Sequence, residues 1–292
     1  MQIKVAPSAG FCFGVQRAVD RVYGLIGKGG KPVYTLGPVI HNDDVVRDLE
    51  KKGVHAIEES ELDSLLPGTT VVIRSHGVGK KTYERLERQG LICEDVTCPF
   101  VKKIHKIVEE QSRAGKYILI IGDPAHAEVK GICGWVQGSF SVISSSEEAE
   151  AFVPPEGKKV CVVSQTTFHY NKFKDIVEIL RKKSYSKNVV KIPDCYDFVN
   201  TICSATEERQ RDARQIAAAS DTMLVIGGRH SSNTQKLYEI CRQECENTYY
   251  IQTPVDLDSD MFQRSSYVGI TAGASTPKKI IEEVLTHVRK NF

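Results

Sequence analysis

The segment Cys98-Pro-Phe-Val-Lys-Lys-Ile-His-Lys-Ile-Val108 and the run Tyr117-Ile-Leu-Ile-Ile-Gly122 form a unit that occurs three times in the chain. Val101, Ile104 and Val108 fall at helical spacing behind Cys98, and Pro99 suits a first helical position because its missing N–H would be unpaired there anyway. The apolar run that follows has the length of a strand and ends in glycine. Outward in both directions the same order returns, with Cys12 before Gly37 and Cys203 before Gly227, at cysteine-to-glycine separations of 25, 24 and 24 residues. Behind Cys12 the apolar residues Val15, Ala18, Val19, Val22 and Ile26 keep helical spacing. Behind Cys203 the signal is Ser204 three residues before Glu207, a capping pair, followed by a stretch of high helix propensity.

Each glycine opens a polar turn: Gly37-Pro-Val-Ile-His41-Asn, Gly122-Asp-Pro-Ala-His126-Ala-Glu128 and Gly227-Gly-Arg-His230-Ser-Ser-Asn233. Each unit then closes on a second strand with its own polar loop, Val71-Val-Ile-Arg-Ser-His76-Gly, Val160-Cys-Val-Val-Ser-Gln-Thr166-Thr and Tyr267-Val-Gly-Ile-Thr-Ala-Gly-Ala-Ser275. A repeat of roughly 100 residues is too long for a solenoid unit, and its alternation of helix and strand predicts a small α/β lobe with a parallel sheet. The expected fold is therefore α/β, with three similar lobes at 1–97, 98–199 and 200–292 about a pseudo-threefold axis. Pro154-Pro-Glu-Gly157 reads as a loop inside the second lobe. Chemistry in such lobes sits at the carboxyl ends of strands, where these loops lie.

With 39 basic and 37 acidic residues the formal charge is +2, and no basic block argues for nucleic acid or an anionic membrane surface. Apolar runs such as Met223-Leu-Val-Ile226 are far short of a membrane span, and the first residues lack the apolar stretch of a signal peptide. A cytoplasmic protein is expected, in which nine cysteines, an odd number, serve as thiols or ligands rather than as disulfides.

Three of those cysteines, Cys12, Cys98 and Cys203, stand at predicted helix starts, where the dipole and free N–H groups favour the thiolate that binds iron or zinc. The other six stand outside the repeat. Cys93 lies at a strand edge, Cys161 inside a strand, Cys133 beside Trp135, and Cys195 has no counterpart. Cys241 and Cys245 share a helix face without a histidine partner. Structural zinc prefers four ligands in local pairs, and no Cys-x-x-Cys occurs. A four-iron four-sulfur (4Fe-4S) cluster held by three thiolates leaves one iron open, which is both a Lewis acid and an electron relay.

The loop residues His41, His76, His126, Ser231, Ser232, Asn233 and Ser275 follow strand ends and precede helical segments, where N–H groups and helix dipoles favour phosphate. Glu128, two residues behind His126, is the candidate proton donor. Its alternative is a glutamate that merely stabilises a helix N-terminus. A P-loop reading of His76-Gly-Val-Gly-Lys-Lys-Thr82 fails, because Arg74 stands where its first glycine belongs and Lys81 where its hydroxyl belongs. No Gly-x-Gly-x-x-Gly occurs.

Taken in order, Ala9-Gly-Phe-Cys12-Phe-Gly-Val, Gly37-Pro-Val-Ile-His41-Asn, Arg74-Ser-His76-Gly, Val96-Thr-Cys98-Pro, His126-Ala-Glu128, Ser164-Gln-Thr166-Thr, Ile202-Cys203-Ser-Ala-Thr, Ser231-Ser-Asn233 and Thr271-Ala-Gly-Ala-Ser275 resemble the 4-hydroxy-3-methylbut-2-enyl diphosphate reductases, the IspH/LytB family, along the whole chain. The resemblance implies a trefoil around a central iron-sulfur cluster held by Cys12, Cys98 and Cys203. It implies that His41, His76, His126, Ser231, Asn233 and Ser275 surround a substrate diphosphate, with Ser232 carried in its motif. It further implies that Glu128 manages proton delivery and that Thr166, with Thr167, orients the substrate hydroxyl. His230 and the extra cysteines match no motif.

The expected reaction removes the allylic hydroxyl as water with two electrons and two protons, giving isopentenyl or dimethylallyl diphosphate. Electrons must come one at a time from a donor such as ferredoxin or flavodoxin, since no flavin or nicotinamide motif is present. Two other classes stay open on the residues alone: a redox-neutral iron-sulfur hydro-lyase acting on a phosphorylated alcohol, and a non-catalytic metal- or phosphate-binding sensor.

Overall fold

Each glycine-ended strand of the repeat lies inside a four-stranded parallel sheet, and the three sheets share one strand order. The computed structural model describes residues 1–27, 32–185, 195–263 and 265–291. The first part of the chain runs β1 (Gln2–Val5), α1 (Phe13–Tyr23), β2 (Val33–Leu36), α2 (Asp43–Lys51), β3 (Val54–Ile57), β4 (Thr70–Ile73), α3 (Lys80–Arg88) and β5 (Ile92–Asp95). The second runs α4 (Pro99–Arg113), β6 (Tyr117–Ile121), α5 (Ala127–Cys133), β7 (Phe140–Ile143), α6 (Ser146–Ala151), β8 (Val160–Ser164), α7 (Tyr170–Tyr185) and β9 (Tyr196–Phe198). The third runs α8 (Ser204–Ala217), β10 (Thr222–Ile226), α9 (Ser232–Glu244), β11 (Thr248–Ile251), β12 (Tyr267–Ala272) and α10 (Lys278–Asn291).

The strand orders are β3-β2-β4-β5, β7-β6-β8-β9 and β11-β10-β12-β1. In each, the chain leaves the glycine strand in one direction and returns on its other side, so a topological switch point falls between the two central strands. Their ends are in register, with Leu36 opposite Ile73, Ile121 opposite Ser164 and Ile226 opposite Ala272. The glycine loop and the second polar loop of the second and of the third repeat therefore emerge side by side. The fourth strand of each sheet, β5, β9 or β1, precedes a cysteine: Cys98, Cys203 or Cys12. The first strand of the chain thus belongs to the sheet of the third repeat.

The central strands are covered on both faces, which is why they read as continuous apolar runs rather than as alternating ones. Leu119, Ile121, Val160 and Val162 pack with Phe173, Ile176 and Leu180 of α7, whereas Ile118, Ile120, Cys161 and Val163 pack with Ile104, Val108, Val129 and Ile132. Likewise Leu224, Ile226, Val268 and Ile270 meet α10, while Met223 and Val225 meet Ala213, Ile216 and Leu237 together with Cys241 and Cys245. Burying each such Leu or Ile contributes about 1.5–3 kcal/mol.

Two compact units result. One comprises Met1–Lys28, Pro38–His55 and Ser204–Phe292 and carries the sheet built on β10 and β12; the other comprises Gly29–Gly37 and Ala56–Cys203 and carries the other two sheets. Cys12 and Cys98 are the N-cap residues of α1 and α4. α8 begins at Ser204 itself, so Cys203 rather than the expected serine occupies the place before the first turn. Among the described residues no helix is long and apolar enough to cross a membrane.

Candidate active site

One backbone contact recurs at all three repeat cysteines. The N–H of Cys12 donates to the carbonyl of Ala274 (3.4 Å), that of Cys98 to Ser75 (2.9 Å) and that of Cys203 to Thr166 (3.0 Å). Each acceptor lies in the polar loop behind a second central strand and is, or directly precedes, a predicted site residue: Ser275, His76 or Thr166. The three cysteines are half-buried, and all nine in the chain are unbridged. Each of the three thus stands at a helix start with the same backbone contact. The others do not match this arrangement: Cys161, Cys241 and Cys245 are buried in the cores described above. Burial pushes the thiol of Cys161 up to about 11 and that of Cys241 up to about 12, which keeps them protonated. Cys93 is also pushed up to about 11, by burial and then by Asp95 and Glu94.

The unit built on β4, β6 and β8 brings together His76, His126, Glu128, Thr166 and Thr167. His126 caps α5, and its Nδ1 accepts the N–H of Glu128 at 3.1 Å. An imidazole that accepts at Nδ1 is neutral and carries its proton on Nε2, where it can donate to an anion. The His76 ring stands edge-on to it, with centroids 5.5 Å apart. Glu128 is 1% exposed, and both its oxygens accept from one residue, Oε1 from the Thr166 N–H (2.6 Å) and Oε2 from the Thr166 hydroxyl (2.7 Å). A glutamate serving only the helix dipole would face solvent; this one is aimed at a hydroxyl. Gln165, fully buried, donates through Nε2 to the Thr167 hydroxyl (3.1 Å) and accepts the Asp123 N–H through Oε1 (3.2 Å), tying the two central loops together.

The unit built on β10 and β12 brings together Cys12, His41, Ser231, Ser232, Asn233 and Ser275. Ser231 caps α9, its hydroxyl oxygen accepting from the N–H (3.3 Å) and the hydroxyl (2.9 Å) of Thr234. Thr234 is wedged so tightly against Gly273 that any Cβ there would collide with its hydroxyl. A Cβ on Gly228 would lie 2.6 Å from the carbonyl oxygen of His41, so glycine lets the His41 loop close on the start of α9. The Ser232 hydroxyl accepts from Lys236 at 2.8 Å. Asn233 is 6% exposed, yet its Nδ2 has no hydrogen-bond partner among the described residues. A buried amide donor costs about 1–3 kcal/mol unless water or a ligand supplies an acceptor.

Gln165, inside the Ser164–Thr167 motif, and Thr234, one residue past Asn233, are not singled out by sequence reasoning. Their role is to hold a neighbour's hydroxyl, which no spacing rule reveals.

The chain is similar to known proteins along nearly its whole length. The family model described as LytB protein matches residues 3–289. The 4-hydroxy-3-methylbut-2-enyl diphosphate reductase of Caldanaerobacter subterraneus subsp. tengcongensis is 47% identical over 290 residues, which cover 99% of this chain and 97% of that protein. The protein of the same name from Clostridium perfringens is 44% identical over 289 residues, 98% of each. A solved structure of (E)-4-hydroxy-3-methyl-but-2-enyl diphosphate reductase, the terminal enzyme of the non-mevalonate pathway, is similar with a TM-score of 0.71 at 37% identity, covering 99% of both chains. That of the E-1-hydroxy-2-methyl-but-2-enyl-4-diphosphate reductase of Plasmodium falciparum gives 0.91 at 26% identity, covering 99% of this chain and 88% of that one.

Proposed function

Since the chain belongs to the LytB family of 4-hydroxy-3-methylbut-2-enyl diphosphate reductases, terminal enzymes of the non-mevalonate pathway, we propose that its loop histidines, serines and Asn233 bind the diphosphate in that reaction and that Glu128 with Thr166 delivers a proton. The overall change replaces the allylic hydroxyl by hydrogen, consumes two electrons and two protons, and releases water with isopentenyl or dimethylallyl diphosphate. The family implies an iron-sulfur cluster; a 4Fe-4S cluster held by Cys12, Cys98 and Cys203 supplies the electrons and a Lewis-acidic iron when bound. The recurrent cysteine N–H contacts support this ligand set.

The observation that carries the proton assignment is the contact between Glu128 and Thr166. With Glu128 protonated, its acidic hydrogen lies on the Thr166 hydroxyl oxygen, whose own proton then turns to the substrate hydroxyl. That hydroxyl leaves as water while Glu128 becomes a carboxylate, to which the Thr166 N–H and hydroxyl can both donate at the distances they have here. Asn233, His126 through Nε2, His41, His76, Ser231, Ser232 and Ser275 take the diphosphate, with Thr167 beside Thr166. Neutral donors suffice where water is excluded and each bond to the anion is charge-assisted.

The donor is a one-electron carrier of the ferredoxin or flavodoxin type, and the nine unbridged thiols suit a cytoplasmic setting. The lobes divide at 98 and 200, with the first strand lent to the third sheet. Anaerobic product analysis with and without an artificial one-electron donor tests the reading. Donor-dependent formation of the two isomeric diphosphates is expected; donor-independent loss of water would make the protein a hydro-lyase.

A further inference from the structure

The loop that carries His76 lies backbone-on-backbone against the far end of the helix that His126 begins. A Cβ on Gly134, just past α5, would lie 2.5 Å from the Cα of Gly79, and one on Gly131 would lie 3.4 Å from the carbonyl of Gly77. The Lys80 N–H donates to the Gly134 carbonyl at 3.3 Å. Next to this seam, Trp135 Nε1–H donates to the Val78 carbonyl at 2.9 Å, and its indole stacks on His105 with centroids 5.2 Å apart and planes 17° from parallel. The His105 ring in turn fills the space where a Gly77 side chain would stand, 2.6 Å from that Cβ position, and Gly77 has a φ of +71° that favours glycine. The loop is thus held from both sides over Gly77, Val78 and Gly79, directly behind His76.

We propose that Trp135 and the Gly131/Gly134 face of α5 are positioning elements that set the separation of His76 and His126 and thereby the affinity for the diphosphate. The inference rests on the assignment of those two histidines to diphosphate binding. Glu128 anchors the start of α5 to Thr166, so a loosened seam displaces His76 rather than the acid. Contacts to a non-reacting diphosphate act alike on ground and transition states, and their loss appears in KM rather than in kcat.

Trp135→Phe keeps the ring and removes the donor. In the reconstituted holoenzyme it should raise KM, and the dissociation constant of inorganic diphosphate, roughly five- to thirtyfold, with kcat changed less than about threefold. Ile176→Val, a core change on α7, should leave KM unaltered although it loosens the same unit. In a His76→Ala background, Trp135→Phe should have no further effect on KM, because the ring it positions is gone. If His76→Ala alone leaves KM unchanged, the histidine assignment fails. If His76→Ala raises KM but Trp135→Phe does not, or if the two effects simply add, the positioning proposal is wrong.

Discussion

Thr166 gives both its backbone N–H and its hydroxyl to the two oxygens of Glu128, while its carbonyl receives the N–H of Cys203. One residue therefore joins the buried carboxylate to a cysteine of the repeat. Thr166→Val keeps the shape and removes the hydroxyl that donates to Glu128 Oε2. We expect a large fall in kcat, about 1–3 kcal/mol of lost stability, and recovery of most activity in Thr166→Ser. Equal loss in the serine and valine variants would mean that packing, not the hydroxyl, matters there.

Asn233 provides a test with the opposite stability sign. Its buried Nδ2 has no partner among the described residues, so Asn233→Ala removes an unsatisfied donor and should leave thermal stability unchanged or raised. The same variant should raise KM by about tenfold, the loss of one hydrogen bond to a charged group. Thermal scans and steady-state kinetics on the same samples check both halves of this statement.

Serine at Cys12, Cys98 or Cys203 should abolish a stable cluster, whereas serine at Cys241 or Cys245 should leave iron and sulfide content nearly unchanged. The motive is placement: the first three are half-buried at helix starts, and the last two are buried in an apolar core. Iron and sulfide analysis after anaerobic reconstitution decides it, and loss of iron from Cys241→Ser as complete as from Cys98→Ser would overturn the ligand assignment.

Burial, with a smaller opposing pull from Asp95, pushes the His105 imidazole down to about 4 from its ordinary 6.5. The folded state thus resists a proton that the unfolded state accepts. Stability from this residue is complete above pH 6.5, is lost as pH falls toward 4, and amounts to up to about 3 kcal/mol. His105→Phe, which keeps a ring against Trp135, should flatten the acid limb of the stability curve across that window. Denaturant unfolding at a series of pH values measures the difference, and parallel curves for the two proteins would remove His105 as its source.

The central strands and the loops behind them were readable because β6, β8 and β10 are continuous apolar runs with glycine or polar residues at their ends. The sheet edges were not. β5 is four residues whose first two, Ile92 and Cys93, are exposed, β9 is three residues, and β1 pairs with β12 more than 260 residues away. Pairing across such separations leaves no local signature. Gly131 and Gly134 carry no signal in the sequence, yet they are where two backbones meet. The two-point contact of Glu128 with Thr166 was also out of reach, since proximity across 38 residues comes from strand register and not from spacing.

The most direct test is Glu128→Gln, which keeps the length and hydrogen-bonding reach of the side chain but holds no acidic proton. Anaerobic kinetics with an artificial one-electron donor should show turnover reduced about a hundredfold to ten-thousandfold, while a spectroscopic titration still shows substrate binding within a few-fold of the parent. Near-normal turnover in this variant would contradict the account and return Glu128 to a structural role at the start of α5.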